Sequence, residues 1–146
     1  MRLAPRNRAA RAASKARGGN GEVRQASLTI RVDFGPYGYL GPGKIQLMSL
    51  ILQHGSIRSA GKEMGMSYRR AWLLVEEINR IFRAPLVEKQ MGGAGGGGAK
   101  LSDLGQEVLH RYRAIEQACA KAAIDDLSAL RSSLATQPAS LKARAR

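Results

Sequence analysis

Glycine breaks between residues 55 and 98 constrain this chain more than any other feature. Gly55 closes one apolar-patterned stretch, Gly65 closes a second of barely two turns, and beyond Pro85 lies GGAGGGG at 92–98. Glycine ends helices because the left-handed conformation past the last turn carries no Cβ penalty. A short capped helix, a glycine turn and a longer capped helix then form a helix-turn-helix. Two strands about the glycine run add a hairpin, the wing.

The apolar spacing fills in this scheme. Ile45, Met48 and Leu52 with Leu47 and Ile51 make the helix from Lys44 to Gly55 a core helix. Ser56 caps the next, with Ile57, Ala60 and Met64 on one side. Ser67 caps the third, whose buried stripe is Ala71, Leu74 or Val75, Ile78 and Phe82, with Trp72 and Ile81 at its edges. The spacing of Trp72 to Val75 and Ile78 favours core packing over base stacking.

Leu86–Met91 and Ala99–Leu101 read as the strands of the wing. Ser102 or Asp103 opens a last helix through Val108, Tyr112, Ile115, Cys119 and Ala122 or Ala123 to about Leu130. At ~1.5 Å per residue it is about 40 Å long, so its far half needs a partner, for which a second copy of the chain is the simplest choice. Upstream, Ser27–Asp33 alternates as a half-buried strand, and the four glycines and two prolines of 34–43 break it.

The expected fold is thus mainly α with a small β-hairpin. It is a winged helix-turn-helix over 25–131 with a long C-terminal dimerisation helix from about 102. A disordered basic arm (1–24) precedes it and a flexible basic tail (132–146) follows.

The formal charge is +13, of which residues 1–24 carry +6 and residues 138–146 carry +3, leaving +4 for the body. Such a body between basic arms suits a polyanion, because each neutralised phosphate releases counterions. Tails of this composition also serve solubility alone. Cys119 is the only cysteine, so no intramolecular disulfide forms, and no Cys/His cluster has zinc spacing. No run approaches the ~18 apolar residues of a membrane span. The Arg/Ala/Ser composition of the first residues is shared by mitochondrial transit peptides and by basic arms. A cytoplasmic, nucleoid-associated location is expected.

The helix after Gly65 presents Ser67, Tyr68, Arg69 and Arg70 at its open N-terminus, where free N–H groups and the positive dipole end suit phosphate. Adjacent arginines can fork onto guanine edges or phosphates; an ordinary solvated face is the plainer alternative. The glycine run invites a phosphate-loop reading, but Gly98-Ala99-Lys100-Leu101-Ser102 misplaces both Lys and Ser for a Walker loop. A slack linker remains a second possibility for it. No constellation of nucleophile, base or metal ligands is apparent, since His54 and His110 lack partners, so no enzyme, cofactor or metal site is expected. Glu76-Glu77 and Asp125-Asp126 read as solvated faces.

The stretch from His54 to Leu109 resembles the N-terminal winged-helix domain of ModE-type molybdate-responsive transcription regulators. The match rests on Gly55-Ser56-Ile57, the run Ser67-Tyr68-Arg69-Arg70-Ala71-Trp72, Leu86-Val87-Glu88, the glycine wing, and Leu101-Ser102 with Gly105-Gln106. It covers roughly residues 25–130, and LysR-type helix-turn-helix domains are similar more distantly. The resemblance implies a homodimer, paired through 102–130, that binds double-stranded DNA. Ser67, Tyr68, Arg69 and Arg70 would read the major groove; Ser56, Arg58, Lys89, Gly95, Gly96 and Lys100 would contact phosphate. Molybdate sensing in such regulators belongs to a separate C-terminal β-domain pair, whereas this sequence ends in LATQPASLKARAR. The expectation is a stand-alone DNA-binding form with no small-molecule effector site. Two other functions fit the same features: a protein-interaction or assembly module, and a nonspecific nucleoid-type DNA binder.

Overall fold

A computed structural model describes residues 26–91 and 97–138. The expected basic arm, the glycines Gly95 and Gly96, and the last residues of the tail lie outside the described residues. The element order is β1 (Val32–Asp33), a 3-10 turn (Gly35–Tyr37), β2 (Tyr39–Leu40), α1 (Pro42–His54), α2 (Ile57–Glu63) and α3 (Tyr68–Ile81). The wing strands β3 (Val87–Gln90) and β4 (Gly98–Leu101) follow, then α4 (Asp103–Ala122) and α5 (Ile124–Ser132). This is the winged helix-turn-helix expected from the sequence, mainly helical with a small antiparallel hairpin.

Local chemistry sets most boundaries. Gly55 takes the left-handed conformation (φ 68°) and its N–H closes α1 on the Ile51 carbonyl; Gly65 does the same work in the next turn (φ 69°). Ser56, Ser67 and Ser102 each accept a backbone N–H three residues on, from Ser59, Arg70 and Gly105. The α1 helix starts two residues earlier than its apolar pattern indicates, because Pro42 occupies the first turn, where its missing N–H is no loss.

Two expectations need correction. The alternating run 27–33 is strand only at Val32–Asp33. Its partner is Tyr39–Leu40, inside the glycine and proline segment read as a break. Gly35 (φ 61°) and Gly38 (φ 117°) fold that segment back instead of merely ending it, and Asp33 Oδ1 accepts the Gly35 N–H at 2.9 Å. The long C-terminal helix is also not continuous. Ala123 (φ −96°, ψ 3°) separates α4 from α5, although its N–H still reaches the Cys119 carbonyl and its carbonyl accepts from Leu127. Asp125 and Asp126 explain the restart, since carboxylates favour the first turn of a helix.

One core joins α1 to α4 and the wing, while α5 contributes no buried residue. Ile45, Leu47, Met48 and Ile51 of α1 meet Ile57 and Ala60 of α2, Ala71, Val75 and Ile78 of α3, Leu86 and Val87 before and in β3, Ala99 and Leu101 of β4, and Leu109 and Tyr112 of α4. Val75, not Leu74, takes the buried place in the α3 stripe. Two glycines permit close approach. A Cβ on Gly61 would stand 2.8 Å from the Ala71 Cβ at the α2/α3 crossing, and one on Gly105 would collide with the Leu86 carbonyl. The second contact accounts physically for the Leu-Ser-x-x-Gly pattern at the start of α4, where Ser102 also donates to the Pro85 carbonyl at 2.7 Å.

Candidate nucleic-acid interface

The α2–turn–α3 unit leaves the N-terminus of α3 exposed beside the wing. Tyr68, Arg69 and Arg70 are all exposed. Ser67 Oγ is engaged with the Arg70 N–H at 3.2 Å, which leaves its hydroxyl proton free to donate and leaves the N–H groups of Tyr68 and Arg69 uncapped. Ser56 Oγ is similarly occupied by Ser59 N–H, at 3.2 Å.

Between the starts of α2 and α3 and the wing runs a groove of about 430 Å³, lined by Arg58, Tyr68, Trp72, Lys89, Gln90 and the Gly98–Ala99 backbone among others. Across it four side chains form a ladder. Arg58 Cζ lies 4.6 Å from the Tyr68 ring centroid, the Tyr68 and Trp72 rings meet edge to face at 6.0 Å, and Lys89 Nζ lies 4.2 Å from the Trp72 centroid. Trp72 is half-buried and packs against the core from the edge of the α3 stripe, as its spacing indicates, but its ring also lines the groove.

Charge pairing is uneven over the surface. The ion pairs join Arg31 to Asp33, Lys44 to Glu77, His54 to Glu63, Arg80 to Glu76, Arg111 to Glu107 and Arg113 to Glu116. Among the described residues, Arg58, Arg69, Arg70, Lys89 and Lys100 on this side of the molecule meet no carboxylate within 4.0 Å, and neither do Lys62, Arg83, Lys121 and Arg131 elsewhere. The five on this side keep their donors available for an external anion.

Not every expected contact comes together. Lys89 pairs across the hairpin with Ala99 and Lys100 with Glu88, so the two lysines point to opposite faces of the wing. Lys89 reaches the groove; Lys100 does not line it. Sequence reasoning missed Gln90, the ring contacts of Trp72, and Asn79. The Asn79 amide accepts from the Leu86 and Val87 N–H groups (2.9 and 3.0 Å) and donates to the Val87 carbonyl (3.1 Å), pinning the base of the wing to α3. A helix-interior asparagine beside the apolar stripe was the available signal, since that residue is a poor helix former.

An exposed helix N-terminus, an adjoining hairpin and a cation-lined groove between them define a winged helix-turn-helix module. No family model matches the chain. It is 39% identical to the molybdenum-pterin-binding protein MopA of Rhodobacter capsulatus over 83 residues, 57% of this chain and 31% of that protein. With the dual regulator ModE of Escherichia coli K12 it shares 35% identity over 98 residues, 67% of this chain and 37% of the relative. The molybdenum transport protein ModE of Azotobacter vinelandii is 35% identical over 91 residues, 62% and 33% of the two chains. The chain is thus homologous to ModE-type proteins over this segment. It spans about a third of the length of the curated relatives it matches.

Proposed function

We propose that this module binds double-stranded DNA in a sequence-dependent way and serves transcription regulation, with α3 in the major groove and the wing beside the backbone. The observation that carries the reading is the groove at the open end of α3, where Arg58 and Lys89 lie on aromatic rings and, like the adjacent Arg69 and Arg70, meet no carboxylate among the described residues. Arg69 and Arg70 read base edges, assisted by the Ser67 hydroxyl, and Arg58, Lys89, Lys100 and the Ser56 hydroxyl take phosphates. Tyr68 adds its hydroxyl at the same edge. The Escherichia coli relative ModE, a DNA-binding transcriptional dual regulator, supports the assignment by homology.

The same reading takes a second copy of the chain as the mate of α4 and α5. Ile115, Ile124, Leu130 and Leu134 are 42–66% exposed there, and a module reading paired half-sites needs a two-fold partner. Sedimentation should give a dimer that Ile124→Glu with Leu130→Glu reduces to monomer.

Selection of bound fragments from random DNA tests the whole proposal. A recurring motif is expected, with half-sites about one helical turn or a multiple apart. On the selected site Arg69→Ala/Arg70→Ala should lower the ratio of specific to random-sequence affinity by roughly 100-fold, at about 1–3 kcal/mol per bidentate contact, with the melting temperature unchanged. A ratio near one in the unaltered protein would replace this reading with nonspecific binding, and salt-independent binding would end both.

A further inference from the structure

We infer that Trp72 and Tyr68 are positioning residues: their rings hold Lys89 of the wing and Arg58 of α2 in place on either side of the recognition helix, with the cations' donors left free for the DNA backbone. The inference rests on the DNA-binding reading above and names what presets its phosphate contacts.

The ladder Arg58–Tyr68–Trp72–Lys89 crosses three elements with cations at its ends and neutral rings between. Residues 68 and 72 are four apart on α3, so the two rings lie along one side of the helix, edge to face, and face α2 and β3 from it. Register directs the lysine inward. Val87 and Lys89 share the core-facing side of β3, opposite Leu101 and Ala99, which are 3% and 2% exposed. The core ends beneath Lys89, whose stem can lie along the indole while the ammonium stays at the rim.

A ring face is a particular kind of holder. It attracts a cation through its quadrupole but accepts none of its in-plane hydrogen bonds, so the guanidinium edge and the ammonium protons remain available. A carboxylate in the same place would consume those donors and repel the DNA. Fixing both side chains before contact also removes part of the rotamer entropy that two long cations otherwise lose on binding.

Trp72 is the chain's sole tryptophan, so its emission reports on the ladder without DNA. Lys89→Gln should change the emission of the DNA-free protein, and its exposed site leaves the fold intact. On the DNA selected by the unaltered protein, Trp72→Leu and Lys89→Gln should each lower affinity about 5- to 10-fold, the double variant no further than the larger single loss. Trp72→Phe, which keeps a ring, should stay within about threefold. The slope of log affinity against log salt should fall by about 0.9, one phosphate, in Trp72→Leu as in Lys89→Gln.

Losses that multiply in the double variant, or an unchanged salt slope in Trp72→Leu, would overturn the inference. So would emission indifferent to Lys89→Gln, and that result decides alone if Trp72→Leu melts below the assay temperature. A multiplicative cycle on tightly and specifically bound DNA removes this inference only, whereas an unaltered protein without salt-dependent DNA binding removes the DNA reading with it.

Discussion

Two cation–aromatic clusters lie toward opposite ends of α3, and they share a contact but not a purpose. At one, Arg31 Cζ and Lys44 Nζ stand 3.6 and 3.7 Å from the Tyr39 ring centroid. Lys44 is buried there, donating to the Tyr39 carbonyl at 3.0 Å and pairing with Glu77 at 3.3 Å, and Arg31 pairs with Asp33. At the other, Arg58 and Lys89 meet rings and, among the described residues, no carboxylate. Lys44, buried and bonded to a carbonyl and a carboxylate, ties elements together; a cation held only by a π face is restrained and still has donors to offer. The difference teaches that the partners of a charge, more than its presence, separate scaffold from interface.

The comparison breaks most sharply at the joint between α3 and the wing. Asn79→Leu should cost about 2–3 kcal/mol in chemical denaturation, because the wing base loses three hydrogen bonds and keeps partly buried N–H groups without partners. A cost under about 0.5 kcal/mol would mean that packing alone holds the wing. Lys44→Met should cost about 1–2 kcal/mol while DNA affinity per folded molecule stays the same, since a partly buried carbonyl loses its donor away from the groove. Ser67→Ala should cost about 1 kcal/mol by removing the α3 cap.

Arg58→Gln is the counterpart of the Lys44 change. It should leave stability within about 0.5 kcal/mol, as at most exposed sites, and flatten the salt slope of DNA binding by about 0.9. A stability loss equal to that of Lys44→Met would erase the distinction between the clusters.

The smallest effect is one of pH. Burial, reinforced by Glu116 and opposed by Arg113, raises the Tyr112 pKa above its ordinary 10.0, and its hydroxyl donates to the Ile30 carbonyl beside Arg31. The unfolded chain therefore releases this proton at lower pH than the folded one, so stability should fall as pH rises beyond about 10. Tyr112→Phe should make that alkaline decline shallower in a pH series of thermal melts.

What could be read from the sequence follows the range of the forces involved. Ser56, Ser67, Gly55 and Gly65 act within a turn of chain, and each cap and stop stands where its residue type requires. The hairpin at 32–40 escaped because glycine and proline mark an interruption without saying whether the chain turns back to pair. Asn79, Lys44 and the groove ladder depend on elements far apart in sequence brought into register, which no local pattern encodes. Lys89 was half legible: its contact with an anion was expected, but only the pairing with Ala99 sets it on the Trp72 side and Lys100 on the other.

The three hydrogen bonds of Asn79 grip β3 at its first residue and the one before it, so the strand from Val87 to Gln90 works as a lever with its fulcrum on α3. Four residues at about 3.3 Å each make an arm of about 13 Å, and a rotation of about 10° at the fulcrum moves its far end by about 2 Å. That is the scale on which a phosphate contact is made or lost. One amide on the inner side of the helix, working with the core packing of Leu86 and Val87, thus helps set the spacing between α3 and the wing from a place that neither part presents to the groove.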